Sequence, residues 1–118
     1  MKDYDDEEGG ERGSFIAYLI TKGRRSGKEH RVPLRLVRYN GRLYASRRDM
    51  KSDWMKNILH DQHVTVEMVD GNRLEGIARL VDDESLCRIV SMLKYKDEAR
   101  ASMKRVVVEI EVKGDSKE

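Results

Sequence analysis

Residues 15–45 read FIAYLITKGRRSGKEHRVPLRLVRYNGRLYA. The first six, Phe15 to Ile20, form an unbroken apolar run rich in β-forming side chains. Such a run predicts a strand buried on both faces. Gly23 to Lys28 holds two glycines and no apolar residue, which predicts a turn. Val32, Leu34 and Leu36 then alternate with Arg31, Pro33 and Arg35, the pattern of a strand with one buried and one charged face. Pro33 within that strand points to a bulge or to a position whose N–H lacks a ladder partner. Asn40-Gly41 supplies the two positive φ angles of a tight hairpin, and Leu43-Tyr44-Ala45 is the return strand. Strands joined by turns this short must run antiparallel.

Downstream, Trp54, Met55, Ile58 and Leu59 recur at helical spacing within 49–61, a short amphipathic helix with Ser52 or Asp49 as N-cap. Val64-Thr65-Val66-Glu67-Met68 alternates as a strand. Asp70-Gly71 is a second hairpin turn, and Leu74, Ile77, Leu80 and Val81 fall on the next strand, where Gly76 suggests a bulge. Asp82 or Asp83 caps a helix carrying Leu86, Ile89, Val90 and Leu93 at i, i+3, i+4 and i+7. Val106-Val107-Val108, Ile110 and Val112 form the last strand. The expected fold is mainly β, of the α+β kind. Six mostly antiparallel strands and two short helices close into a small barrel, because closure removes exposed sheet edges.

At 118 residues the chain is one domain, assigned to 14–113. The acidic stretch 1–13 reads as a mobile tail and 114–118 as a polar one. The single Cys87 excludes a disulfide framework and a multi-thiolate zinc site, and reads as a small core residue. No apolar run approaches the roughly 18 residues a spanning helix needs. The acidic start is unlike a secretory signal, which leaves the cytoplasm as the expected compartment.

Charged residues make up 39% of the chain, yet the net charge is only +2. The sum hides a segregation. Between Lys22 and Lys56 stand Lys22, Arg24, Arg25, Lys28, Arg31, Arg35, Arg38, Arg42, Arg47, Arg48, Lys51 and Lys56, against Glu29, Asp49 and Asp53 alone. Such a segment predicts an anionic partner. A groove combining Arg24 and Arg25 with Arg31, Arg35, Arg47, Arg48 and Lys51 would suit one; ordinary surface charge is the simpler explanation.

Gly23-Arg24-Arg25-Ser26-Gly27-Lys28 is not a phosphate-binding P-loop, because three residues rather than four separate the glycines and Glu29 follows the lysine. Its glycines still admit close backbone approach, and its cations suit phosphate or carboxylate. A solvated basic turn is the bland alternative. On either reading the turn is exposed, so Arg24 and Lys28 are expected to be replaceable with little loss of stability. The aromatic residues form no ribonucleoprotein-type pair, which argues against a single-strand nucleic-acid binder. His60 and His63 lack a third ligand and read as surface or cap residues. No nucleophile–base pairing is visible, so an enzyme of this sequence would rely on a cofactor.

Thr21-Lys22-Gly23-Arg24-Arg25-Ser26-Gly27-Lys28, followed by Arg31-Val32-Pro33-Leu34, resembles the signature of deazaflavin-dependent nitroreductases, a T-x-G-R-x-S-G turn followed by an arginine and a Pro-Leu pair, in the flavin/deazaflavin oxidoreductase superfamily. The resemblance continues through Arg38, Gly41, Tyr44-Ala45-Ser46, Trp54 and Asn57-Ile58 to Val106-Val107-Val108. It implies the FMN-binding split β-barrel shared with pyridoxamine 5′-phosphate oxidases. It also implies coenzyme F420, a deazaflavin with a phosphate and polyglutamate tail, and hydride transfer between it and a small oxidised substrate. By carry-over, Arg24, Arg25, Ser26, Gly27, Lys28 and Arg31 would hold phosphate and tail. Pro33, Leu34, Ala45 and Ser46 would lie against the ring, with Arg47 and Lys51 beside the cofactor. Trp54 and Asn57 would pack and fix the covering loop. FMN is the alternative cofactor, a homodimer the implied assembly, and a non-catalytic anion- or nucleic-acid-binding module the rival class. Residues 47–53 lack the paired glycines and Pro-Lys of the family, and only Tyr95 stands where nitroreductases carry several tyrosines, so a nitroaromatic substrate is not implied.

Overall fold

A computed structural model describes residues 13–95 and 105–113. The order is β1 (Gly13–Lys22), β2 (Glu29–Tyr39), β3 (Arg42–Arg47), α1 (Asp53–His60), β4 (His63–Glu67), β5 (Arg73–Leu80), α2 (Glu84–Lys94) and β6 (Val106–Val112). This is the element order the sequence predicts. The expected tails lie outside the described residues, except Gly13, which already pairs with Arg38 in β1. The strands close into a barrel in the order β1-β2-β3-β6-β5-β4, and every pairing is antiparallel.

Alternation turns one set of side chains inward. Ala17, Leu19, Leu36, Leu43, Ala45, Val64, Val66, Ala78, Val108 and Ile110 fill the barrel. Trp54, Met55 and Ile58 of α1 join the same cluster, so α1 plugs one end. A second cluster lies outside the barrel wall, where Val37, Tyr44 and Val107 are covered by Val90, Leu86 and Leu93 of α2. Asp83 caps α2, its carboxylate accepting from the Ser85 and Leu86 amides. Ser52 precedes α1 without a capping bond, and Asp49 accepts from the Lys51 amide instead.

Two expectations change, and a third resolves between its alternatives. The first strand is buried on both faces only toward its end: Ala17 and Leu19 point inward and Ile20 on the outer face is buried, but Ile16 opposes Arg35 on the outer wall and is 47% exposed. Gly76 makes no bulge. It sits in register between Val64 and Val112, and a Cβ there would stand 2.9 Å from the Glu111 carbonyl oxygen, so the neighbouring strand demands glycine. Pro33 is likewise in regular register with Tyr18. It is tolerated because β2 has no second neighbour at that height, β3 pairing only with Val37–Tyr39. The Asn40-Gly41 hairpin forms as expected, with φ of 52° and 77°.

Candidate functional site

The register gathers the sequence-predicted site at the end that α1 plugs. β1 and β3 leave the barrel there, β2 and β6 enter, and α2 ends there. The β1–β2 turn is tightly built. The Gly23 amide donates to the Lys28 carbonyl at 2.7 Å, the Gly27 amide to the Gly23 carbonyl at 2.8 Å, and the Lys28 amide to Ser26 Oγ at 3.1 Å. Gly27 holds φ +74°, which calls for glycine, while a Cβ on Gly23 would displace the Ser26 hydroxyl, 2.8 Å away, from its bond to the Lys28 amide.

Asn57 ties this turn to α1. It is 2% exposed, and its Oδ1 accepts from the Arg24 amide at 3.2 Å and from Arg24 Nη1 at 2.9 Å. Its Nδ2 donates to Thr21 Oγ1 at 3.0 Å. Arg24 Nη2 also reaches Asp53 at 3.4 Å. Arg24 is therefore a clamped, half-buried strut and not a replaceable surface residue, because its charge is satisfied inside the fold. The turn and the end of α1 enclose an open groove of about 390 Å³, lined by Lys22, Gly23–Gly27, His60 and Asp61. His63 Nδ1 lies 2.9 Å from the Asp61 carboxylate, and this bond holds the Asp61 carboxyl below its ordinary range.

Arg25 and Lys28 in the turn, and Arg47, Arg48 and Lys51 between β3 and α1, are exposed and make no side-chain hydrogen bond or ion pair among the described residues. Arg31 and Arg35 differ. They share the outer wall of β2, where Arg31 Nε meets Glu67 at 3.0 Å and its guanidinium lies 3.7 Å over the Tyr18 ring. Arg35 donates to Ser14 Oγ at 3.1 Å. The single groove uniting Arg24 and Arg25 with Arg31, Arg35, Arg47, Arg48 and Lys51 does not form, because strand alternation sends the two β2 arginines to the outer wall, where Glu67 and Ser14 engage them.

The ring-side residues flank a seam. β2 from Glu29 to Leu36 and β3 from Ala45 to Arg47 do not pair with each other. Along this seam Leu34 and Ala45 point inward and Pro33 and Ser46 outward. Trp54 is buried in the core and serves α1 packing. The sequence reading misses Lys94, whose Nζ lies 3.1 Å from both Ser46 O and Ser46 Oγ. Nothing in its helical spacing marks it, since the contact depends on where α2 ends over β3. Unpaired cations beside a seam that bares two strand edges fit a group that is planar at one end and phosphorylated at the other.

The same barrel occurs in a conserved hypothetical protein of Mycobacterium tuberculosis, with TM-score 0.67 and 22% identity over 83% of this chain and 72% of that one. It occurs in a protein described as a domain-swapped dimer, with TM-score 0.67 and 25% identity over 81% of this chain and 79% of that one. It occurs again in an F420-H2 dependent reductase, with TM-score 0.64 and 23% identity over 81% of this chain and 93% of that one. No curated protein sequence matches. Residues 3–113 match the F420H(2)-dependent quinone reductase family, which spans the basic turn, the seam and α1. The chain belongs to that family and is an F420-dependent oxidoreductase.

Proposed function

We propose that the α1 end of the barrel holds the phosphate and acidic tail of F420, and that the acceptor of its hydride is a small molecule of the quinone class. The observation that carries this reading is the segregation of charge. Arg25, Lys28, Arg47 and Lys51 stand together at the plugged end without carboxylate partners among the described residues. With Ser26 and Gly27 they form the anion-holding set. Arg24, Trp54 and Asn57 frame it, and Pro33, Leu34, Ala45 and Ser46 flank the ring. Arg31 is left out, because Glu67 and Tyr18 already engage it.

When bound, the deazaflavin supplies the hydride. The chain's own groups bind, orient and exclude water, and no nucleophile is required. The quinone assignment rests on the family description. Domain swapping in a structural neighbour and the exposed Ile16, Leu59 and Val69 support a homodimer here, which light scattering on the purified protein would read as twice the chain mass.

Fluorescence titration of the full chain with F420 and with FMN tests the cofactor site. Micromolar F420 binding with weaker FMN binding is expected, followed by quinone-dependent oxidation of F420H2. Binding of neither, together with salt-sensitive retention on nucleic acid, would overturn the reading in favour of an anion-binding module.

A further inference from the structure

Lys94 ends α2, and its ammonium bonds to both oxygens of Ser46, each at 3.1 Å. An ammonium only donates. Both bonds therefore run from Lys94 to Ser46, and the Ser46 hydroxyl accepts here. Its own proton must go elsewhere, and no described residue receives it. Ser46 is 3% exposed, so only a narrow opening remains through which its proton can meet water or a ligand that displaces water. Among the described residues the remaining direction is the seam, since β3 beyond Tyr44 has β6 on one side and no strand on the other.

We propose that Lys94 is a positioning residue of the cofactor site, turning the Ser46 hydroxyl into an obligatory donor aimed at the acceptor edge of the bound ring. This rests on the reading above that Ser46 flanks the ring. Ring carbonyls and nitrogens of flavin-type cofactors are acceptors, and a donor fixed in advance binds them without reorganisation. The charge behind Ser46 is sensitive to pH. Burial pushes the Lys94 ammonium below the ordinary lysine range; Tyr95 opposes this, while Arg105 and Arg47 add to it. Those three and Ser46 are the polar groups facing it from the end of α2, from the residue before β6 and from β3. Once deprotonated, Nζ can accept the Ser46 proton and withdraw the donor from the ring.

The test is a double-mutant cycle on F420 affinity, read by fluorescence titration of the full chain at neutral and alkaline pH. Lys94→Met should weaken binding about tenfold, in line with one lost charge-assisted bond, but less than about twofold in a Ser46→Ala background. Lys94→Arg should retain affinity at neutral pH and keep it at alkaline pH, where the native chain loses it. Equal losses from Lys94→Met in both backgrounds would overturn the proposal, as would no loss in either. Should Lys94→Met fail to fold, the alkaline comparison of Lys94→Arg with the native chain decides alone: parallel pH profiles overturn the proposal. Failure of the native chain to bind F420 or FMN overturns the cofactor reading and this inference with it, whereas normal native binding with an additive cycle overturns this inference alone.

Discussion

The outer wall and the plugged end of this barrel are both rich in arginine and lysine, yet they use them in opposite ways. On the wall Arg31, Arg42, Arg73 and Arg79 each have a carboxylate, and Arg35 bonds to the Ser14 hydroxyl. Arg79 Nη2 lies 2.6 Å from Glu111 and its Nε 3.7 Å from Glu109, and Arg42 reaches the same two glutamates at 3.3 and 3.6 Å. Arg31 and Arg73 share Glu67, and Arg73 also reaches Glu29. At the plugged end Arg25, Lys28, Arg47, Arg48 and Lys51 have none among the described residues. Composition cannot separate the two groups. What separates them is whether register has set an acid opposite, and an unmatched cation cluster on a fold that pairs its charges elsewhere is evidence of a ligand.

The strongest way to break this comparison is Arg25→Ala with Lys28→Ala. If each makes one charge-assisted bond to phosphate, F420 affinity should fall by on the order of a hundredfold or more. The melting temperature should hardly move, because neither side chain bonds to the described structure. Raising salt should weaken native binding in the same direction. A melting collapse with unchanged affinity would place these residues with the wall.

Asn57→Ala probes the joint between the regions. It removes the acceptor of Arg24 and the donor to Thr21, leaving buried polar groups unmatched, at a cost of about 2–3 kcal/mol. On a domain of this size that lowers the melting temperature by on the order of 10 °C. Affinity should fall as well, since the turn loses its anchor. Thermal melts and the same titration read both, and a change in one without the other would show that turn and helix are not coupled.

The element order and the barrel are legible in the sequence because they rest on local signals. The alternation of Val32, Leu34 and Leu36, the Asn40-Gly41 hairpin and the helical spacing of Trp54 and Ile58 each act over a few residues. The basic turn was legible for the same reason. Pairing was not. Arg31 and Glu67 are 36 positions apart, and Lys94 and Ser46 are 48 apart. Each meeting depends on a register or a helix end that no local window contains. Arg24 and Arg25 are adjacent in sequence and alike in chemistry, yet only the position of Asn57 makes one a strut and leaves the other free.

Arg79→Ala should show the wall for what it is. Arg79 and its closer partner Glu111 are half exposed, and both glutamates retain Arg42, so the cost is at most about 1 kcal/mol, shrinking with salt, and F420 affinity should be unchanged. A loss of affinity here would erase the distinction between wall and end.

The smallest expected effect also belongs to the wall and is visible only in alkali. Tyr44 donates to Glu109 at 3.2 Å, and its hydroxyl pKa is pushed up to about 12 by burial first and by the Glu109 charge second. Its neutral form is thus favoured by folding. The resulting stability is fully present below the unfolded value of about 10 and drains as pH rises from there toward 12. Tyr44→Phe removes both the bond and the titration. Denaturant melts between neutral pH and pH of about 11 should therefore show the native chain losing more stability than the variant. The two curves should converge upward in pH from a small native advantage, on the order of 1 kcal/mol, at neutrality. Parallel curves would mean that neither burial nor the Glu109 charge perturbs the Tyr44 hydroxyl, and would overturn this reading.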